Sequence, residues 1–266
     1  MRLRFGSFVF LLVLSAAQPS ATQQTAATSV QRDPQALTVL AQTLKAAGGP
    51  AALSAIQDVT GSGNITYYWG GEEVQGTVSV KGRGLGQFRL DAILQNGARS
   101  WAVSNGAGFE KDADGTVTKI PYHNTLNVGN LTLPIYFISQ LPQDAAASLI
   151  YVGLETKNGA QVHHIRTQKT FSSNLDPSGI VSKLTARDFF IDATTFQIVS
   201  TLDMVHPASA STIDYPRETQ FSDYRAVNGI LVPFSITEVA TGQRTYSIQL
   251  NQVTFNSGLQ DSDFAQ

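Results

Sequence analysis

The side chains with the most chemical potential in this 266-residue sequence are the adjacent imidazoles His163 and His164, the carboxylates Asp188 and Asp192, and the glycine-rich stretch Gly82-Arg83-Gly84-Leu85-Gly86. Two neighbouring imidazoles would hold a metal if both faced one point. On a strand, consecutive side chains leave opposite faces, so this pair cannot readily chelate one ion. No H-x-H or H-E-x-x-H spacing offers an alternative. The expectation is an ordinary strand pair with one exposed histidine, and no metal. His123 and His206 are isolated in turn-like surroundings and predict no role. Asp188 and Asp192 lie four apart on one predicted strand, about 13 Å end to end by the strand rise. That exceeds the roughly 6.5–9.5 Å that separates paired catalytic carboxylates, so both are expected at solvated strand ends. The glycine-rich stretch leads into a strand rather than a helix, which makes it a bulge or turn and not a phosphate cradle. The absence of cysteine excludes disulfides, thiol catalysis and zinc ribbons. An envelope hydrolase built on His163 or His164 would need a carboxylate within hydrogen-bond reach in a cleft. Catalysis is therefore the weaker reading, and no cofactor is expected.

The stronger candidates are aromatic and aliphatic. Tyr67, Trp69, Phe88 and Trp101 fall on predicted strands, and Leu131, Ile135, Tyr136 and Phe137 fall in an apolar stretch ending at Leu141. Each alone is explained by core packing. Together they are candidates to line an apolar cavity or its mouth, because Tyr136 and Phe137 belong to a helix expected to cover a sheet.

What must position these residues is a chain of alternating pattern. Lys and Arg total 18 against 20 Asp and Glu, a net charge of -2, which lacks the clustered cations of a nucleic-acid binder. Charged residues are 14% of the chain, against roughly 25% in ordinary soluble domains. Arg2 and Arg4 precede the apolar run Phe8 to Leu14 and the small residues Ser15-Ala16-Ala17. This is the layout of a secretory signal over residues 1–17, with cleavage as late as Ala21. The run breaks at Gln18-Pro19, well short of the roughly 20 residues a membrane span needs. Residues 18–32 are small and polar and predict a flexible linker, leaving 33–266 as one domain. Asp33-Pro34 predicts a helix start, Leu37, Leu40, Ala41 and Leu44 its apolar stripe, and Gly48-Gly49 its stop. Pro50 to Ile56 is a second short helical piece. From Gly61 the period becomes two, and turns at Gly70-Gly71, Asn96-Gly97, Asp114-Gly115, Asn158-Gly159, Asn228-Gly229 and Thr241-Gly242 punctuate short strands, including one over Leu184 to Asp192. The fold class is mainly β: a curled antiparallel sheet of about eleven strands forming an incomplete barrel, covered by a few helices.

Several segments resemble one family. A capped helix ends in Ala47-Gly48-Gly49, and Phe189-Phe190-Ile191-Asp192 with Thr194-Thr195 forms a strand-turn-strand unit. Phe221-Ser222-Asp223-Tyr224-Arg225, then Asn228-Gly229-Ile230-Leu231-Val232-Pro233-Phe234, then Asp261-Ser262-Asp263-Phe264 close the chain. This resembles the periplasmic lipoprotein-carrier superfamily, the LolA/LolB/LppX-like proteins, over about residues 33–266. The resemblance implies an incomplete barrel of about eleven strands with helices over its open mouth and an apolar cavity that accepts acyl chains. It implies an exported, periplasmic, monomeric and non-enzymatic carrier whose partner is a lipid, an acyl chain or a lipidated protein. No single residue here matches the arginine that locks the lid of the lipoprotein carriers. A structural or interaction module of the envelope, with its barrel filled and no ligand, is the competing reading.

Overall fold

The computed structural model describes residues 30–126 and 133–266. The expected signal, most of the expected linker, and Leu131 lie outside the described residues. Helix α1 (Pro34–Ala46) begins where the sequence places it: the Asp33 carboxylate accepts the Gln35 N–H at 2.8 Å, and Pro34 occupies the first turn, where no N–H is needed. Its buried stripe is Ala36, Val39, Leu40, Thr43 and Leu44. Helix α2 (Pro50–Ser54) follows at once.

The first six strands are β1 (Asp58–Trp69), β2 (Glu72–Arg83), β3 (Gln87–Leu94), β4 (Gly97–Ser104), β5 (Ala107–Lys111) and β6 (Val117–Lys119). The short helices α3 (Tyr122–Thr125) and α4 (Pro134–Gln140) come next. Then follow β7 (Ala147–Lys157), β8 (Ala160–Lys169), α5 (Ile180–Leu184), β9 (Arg187–Asp192), β10 (Ile198–Val205), β11 (Tyr215–Val227), β12 (Ile230–Ala240) and β13 (Gln243–Phe255). All thirteen strands join one antiparallel sheet in the order β6-β5-β4-β3-β2-β1-β13-β12-β11-β10-β9-β8-β7. The first and last strands of the chain pair in the middle, and β6 and β7 form two unjoined edges, so the barrel is incomplete.

Among the described residues the count is thirteen rather than about eleven. The hairpin expected over Phe109 to Ile120 around Asp114-Gly115 is present as β5 and β6, which are only five and three residues long, with β6 exposed throughout. Leu184 also departs from expectation: it ends α5 instead of opening a strand. The Asp176 carboxylate accepts the N–H groups of Val181 and Ser182 at 3.0 and 2.7 Å, which satisfies the donors of the first turn and favours helix there. At Asn228-Gly229 both residues have positive φ (49° and 81°), the geometry of a two-residue hairpin turn that asparagine and glycine adopt at low cost. Gly63 sits at a register shift between β1 and β13, where a Cβ would collide with the Gln249 carbonyl.

Alternation along the strands places Ile65, Val78, Leu90, Phe221, Ile236, Ile248 and Leu250 on one face, all buried with α1, α2 and α4 in a single core. This is the concave face. On the outer face, the closing 3-10 turn Asp261–Phe264 buries Phe264 and pairs Lys81 with Asp263 at 2.8 Å, which gives the terminal Asp-x-Asp-Phe a structural purpose. Arg32 ties the segment just before α1 to the end of α4: its guanidinium donates to the carbonyls of Leu141, Pro142, Asp144 and Ala147 at 2.8–3.3 Å.

Candidate functional site

The aromatic candidates divide among three places. Phe88 is fully buried on β3 and meets Trp101 of β4 edge-on at 5.1 Å, a core pair. Tyr67 and Trp69 lie at the far end of β1, next to the Gly70-Gly71 turn; Tyr67 is half-buried and Trp69 is 65% exposed. Both rings face the guanidinium of Arg99, at 5.8 and 5.0 Å. Ile135, Tyr136 and Phe137 share α4, which lies over the concave face.

Two crevices flank α4. One is bordered by Ala47, Ile135, Phe196, Ile198, Tyr224 and Leu231, and the other by Ile56, Val59, Gly82, Leu133 and Tyr136. They hold about 240 and 280 Å³ of empty space counting the part open to bulk water. As they stand, each has room for about one water molecule.

Beyond Phe137 the concave face changes character. Phe137 stacks on Phe189 of β9 (5.8 Å, 20° between planes), and the Arg187 guanidinium lies 5.3 Å from the centre of the Phe137 ring. Arg187 and Phe189 are two apart on β9 and so share a face. Arg187 Nη2 donates to Asp203 Oδ2 at 2.8 Å, and Arg217 donates to both Asp203 oxygens at 2.8 and 2.9 Å. Arg187 and Asp203 are 3% and 6% exposed, so this is a buried Arg–Asp–Arg triad inside the curl. Burial opposes ionisation of Asp203, but Arg217 and Arg187 outweigh it and hold the carboxyl below its ordinary range. Next along the sheet, Glu238 accepts hydrogen bonds from Thr245 Oγ1 at 2.7 Å and Tyr246 Oη at 3.3 Å, and the Tyr246 ring packs against Tyr67 at 5.7 Å. The concave face is thus apolar under α1, α2 and α4, with a row of charged side chains, Arg187, Asp203, Arg217 and Glu238, crossing it from β9 to β12.

Burial, reinforced by Glu238, pushes the Tyr67 hydroxyl up to about 12 and the Tyr246 hydroxyl well above 10.0. Both phenols stay neutral in the fold while their unfolded counterparts ionise near 10, so their contribution is complete below about pH 10 and is lost as pH rises through the folded values. The denaturant midpoint is expected to hold steady to about pH 10 and fall between there and pH 12, with the last part of the tyrosinate absorbance rising in step with unfolding. Tyrosinate that titrates fully in the folded protein would contradict this.

The triad, Glu238 and Tyr246 were missed by sequence reading. The available signal was alternation itself: Arg187 continues the Phe189, Ile191 face, and Arg217 continues the Thr219, Phe221 face. The polar residues singled out by sequence fare differently. His163 and His164 do point apart: Tyr151 Oη meets His163 Nδ1 at 2.9 Å, whereas His164 is buried with its two nitrogens facing Glu155 Oε1 (2.7 Å) and Asp188 Oδ1 (2.9 Å). Asp188 is not a solvated strand end; it is 6% exposed and also accepts two bonds from Arg166 of the adjacent β8. Asp192 caps a turn, accepting the N–H groups of Thr194 and Thr195. His123 and His206 meet edge-to-face at 5.8 Å. Among the described residues no three His, Cys, Asp or Glu side chains gather as a metal site, and no helix is long and apolar enough to cross a membrane.

No family model matches the chain, and no curated relative does. Solved structures do. A protein domain from Vibrio parahaemolyticus named for outer-membrane lipoprotein sorting superposes with a TM-score of 0.51 at 12% identity, covering 86% of this chain and 95% of its own. A DUF1329 family protein from Desulfovibrio piger gives 0.53 at 11%, covering 88% and 98%. A LolA superfamily protein from Nitrosomonas europaea gives 0.52 at 7%, covering 87% and 97%. Such likeness, spanning nearly the whole of each neighbour at so low an identity, is a likeness of architecture, and it is the architecture that the closing segments of the sequence resemble. The chain has the fold of these three structures, one of which is a LolA superfamily protein.

Proposed function

We propose that this protein is an exported, non-enzymatic carrier that holds the apolar part of a lipid, a free acyl chain or a lipidated protein between its curved sheet and α4. The observation that supports the reading best is α4 itself: Ile135, Tyr136 and Phe137 lie against an apolar concave face with a crevice on either side. Neither crevice accepts a chain as it stands, so binding requires α4 to shift. Each buried methylene then contributes roughly 0.8 kcal/mol, which provides affinity without any catalytic group. The fold shared with a domain named for lipoprotein sorting is consistent with this, as is a leader over residues 1–17 that would direct the chain to the envelope.

Protein purified from its own envelope is expected to carry lipid in native mass spectrometry, and the emptied protein to bind a fluorescent fatty acid. Phe137→Asp is expected to weaken that binding at least tenfold while moving the melting temperature by only a few degrees, because Phe137 is only half-buried and sits on a short covering helix rather than in the sheet. Protein that is lipid-free and also ignores fatty-acid probes would overturn the reading. That result would favour the competing one, an envelope interaction module, which the small size of the crevices supports.

A further inference from the structure

The register of the sheet draws a line across its concave face. Phe221, Ile236, Ile248 and Ile65 are cross-strand neighbours on β11, β12, β13 and β1, and all four are buried in the core. Two residues away on each strand, and so on the same face, the neighbours are Thr219, Glu238, Tyr246 and Tyr67. Thr201 of β10 lengthens this second row beside Thr219, and the Asp203–Arg217 rung follows it. The first row offers only hydrocarbon, and every member of the second carries a hydroxyl or a carboxylate. Thr201 and Thr219 are the informative members. They are 5% and 6% exposed, and among the described residues neither hydroxyl has a hydrogen-bond partner. Thr167 on β8, equally buried, does have one: it donates to the Arg187 carbonyl at 3.3 Å. A buried hydroxyl that bonds nothing is unfavourable, and valine has nearly the same shape, so packing alone gives no reason for two threonines here.

We propose that Thr201, Thr219 and Glu238 receive the polar end of the bound amphiphile, and that this end is uncharged and hydroxyl-bearing, as in a glyceride or a long-chain alcohol. The proposal rests on the carrier reading above and adds the chemical class of the ligand. Charge balance supports it. Arg187 and Arg217 face Asp203 and Glu238, two charges of each sign, so an anionic or a cationic head would bring an uncompensated charge into a place shielded from water. Toward the Tyr67 end of the row, Arg99 is already paired with Asp112 at 2.8 Å, and Glu110 is exposed. The hydrogen-bonding inventory agrees. Glu238 accepts from Thr245 Oγ1 on one oxygen and from Tyr246 Oη on the other, which leaves each oxygen a further lone pair. A hydroxyl head can donate to Glu238 and accept from a threonine, whereas a carboxylate brings no proton for Glu238 and a quaternary ammonium brings no hydrogen-bonding group at all. The tail then runs from this row over Phe221 and Ile236, toward the apolar part of the face.

Calorimetric titration of the full chain, freed of bound lipid, with three probes that share one tail length tests this: monododecanoylglycerol, dodecanoate and dodecyltrimethylammonium. The parent is expected to bind the glyceride about tenfold more tightly than either ion, the worth of one or two satisfied hydrogen bonds. The double variant Thr201→Val, Thr219→Val is expected to lose that preference, with the affinity for the two ions changed by less than about twofold. Its melting temperature without ligand is expected to be unchanged or higher, since the hydroxyls it removes bond nothing in the empty protein. Three results would overturn the proposal: equal affinity of the parent for all three probes, a preference that survives in the double variant, or a double variant several degrees less stable, which would make the hydroxyls structural. The parent's own preference needs no variant, so it decides the matter even if the double variant does not fold. A parent that binds none of the probes would overturn the carrier reading itself, which is a different outcome from binding all three alike.

Discussion

Asp203→Ala is expected to destabilise the protein by about 3–5 kcal/mol, the cost of removing one partner from a buried ion pair. The carboxylate sits between Arg187 and Arg217 at 2.8 Å from each, and its loss deprives both guanidiniums of their shared counter-charge in a place where water cannot replace it. Urea unfolding of the variant against the parent reads the effect directly. The contrast that makes the test specific is the triple replacement Arg187→Met, Asp203→Leu and Arg217→Met, expected to cost far less than the single change, because buried ions replaced together by apolar side chains are often neutral or stabilising. A single Asp203→Ala variant within about 1 kcal/mol of the parent would mean that the triad is solvated in solution. The same replacement separates stability from binding. If the charged row on the concave face receives the polar end of an amphiphile, the triple variant keeps its fold and loses its distinction between a fatty acid and a fatty alcohol of equal chain length.

Phe189→Ala carries the second large effect. Phe189 is fully buried, pairs across the sheet with Ile165 and Thr201, and stacks on Phe137 of the covering helix. Truncation is expected to cost about 3–5 kcal/mol through lost burial and the cavity left behind. That cavity would open under α4, where the proposed ligand lies. Small apolar compounds are therefore expected to raise the melting temperature of the variant and leave the parent's nearly unchanged, since a ligand that fills the folded state alone stabilises it by mass action. A variant that loses the expected stability but gains nothing from apolar compounds would place Phe189 outside any ligand path.

Particular residues show where sequence reading worked and where it stopped. Asp33-Pro34 and Asn228-Gly229 specify their helix start and hairpin turn because the interactions involved span only a few residues. The separation of His163 from His164 follows from strand geometry alone. Asp188 was misjudged because its burial comes from His164 and Arg166 on a neighbouring strand, and the pairing partner of a strand is not written in its own pattern. His123 and His206 carried no local signal, and they meet only because the sheet curls enough to bring α3 to the β10–β11 connection.

By itself, then, the sequence determined the alternation, the turns, the helix start and the mainly β class, since these depend on backbone preferences and side-chain period within a single segment. Tertiary structure decided which strands neighbour each other, which face became the interior, and that Arg187, Asp203 and Arg217, from three separate strands, share one buried site. Those outcomes depend on register and on the pairing of β1 with β13, which arise only when distant segments compete to bury the same apolar face.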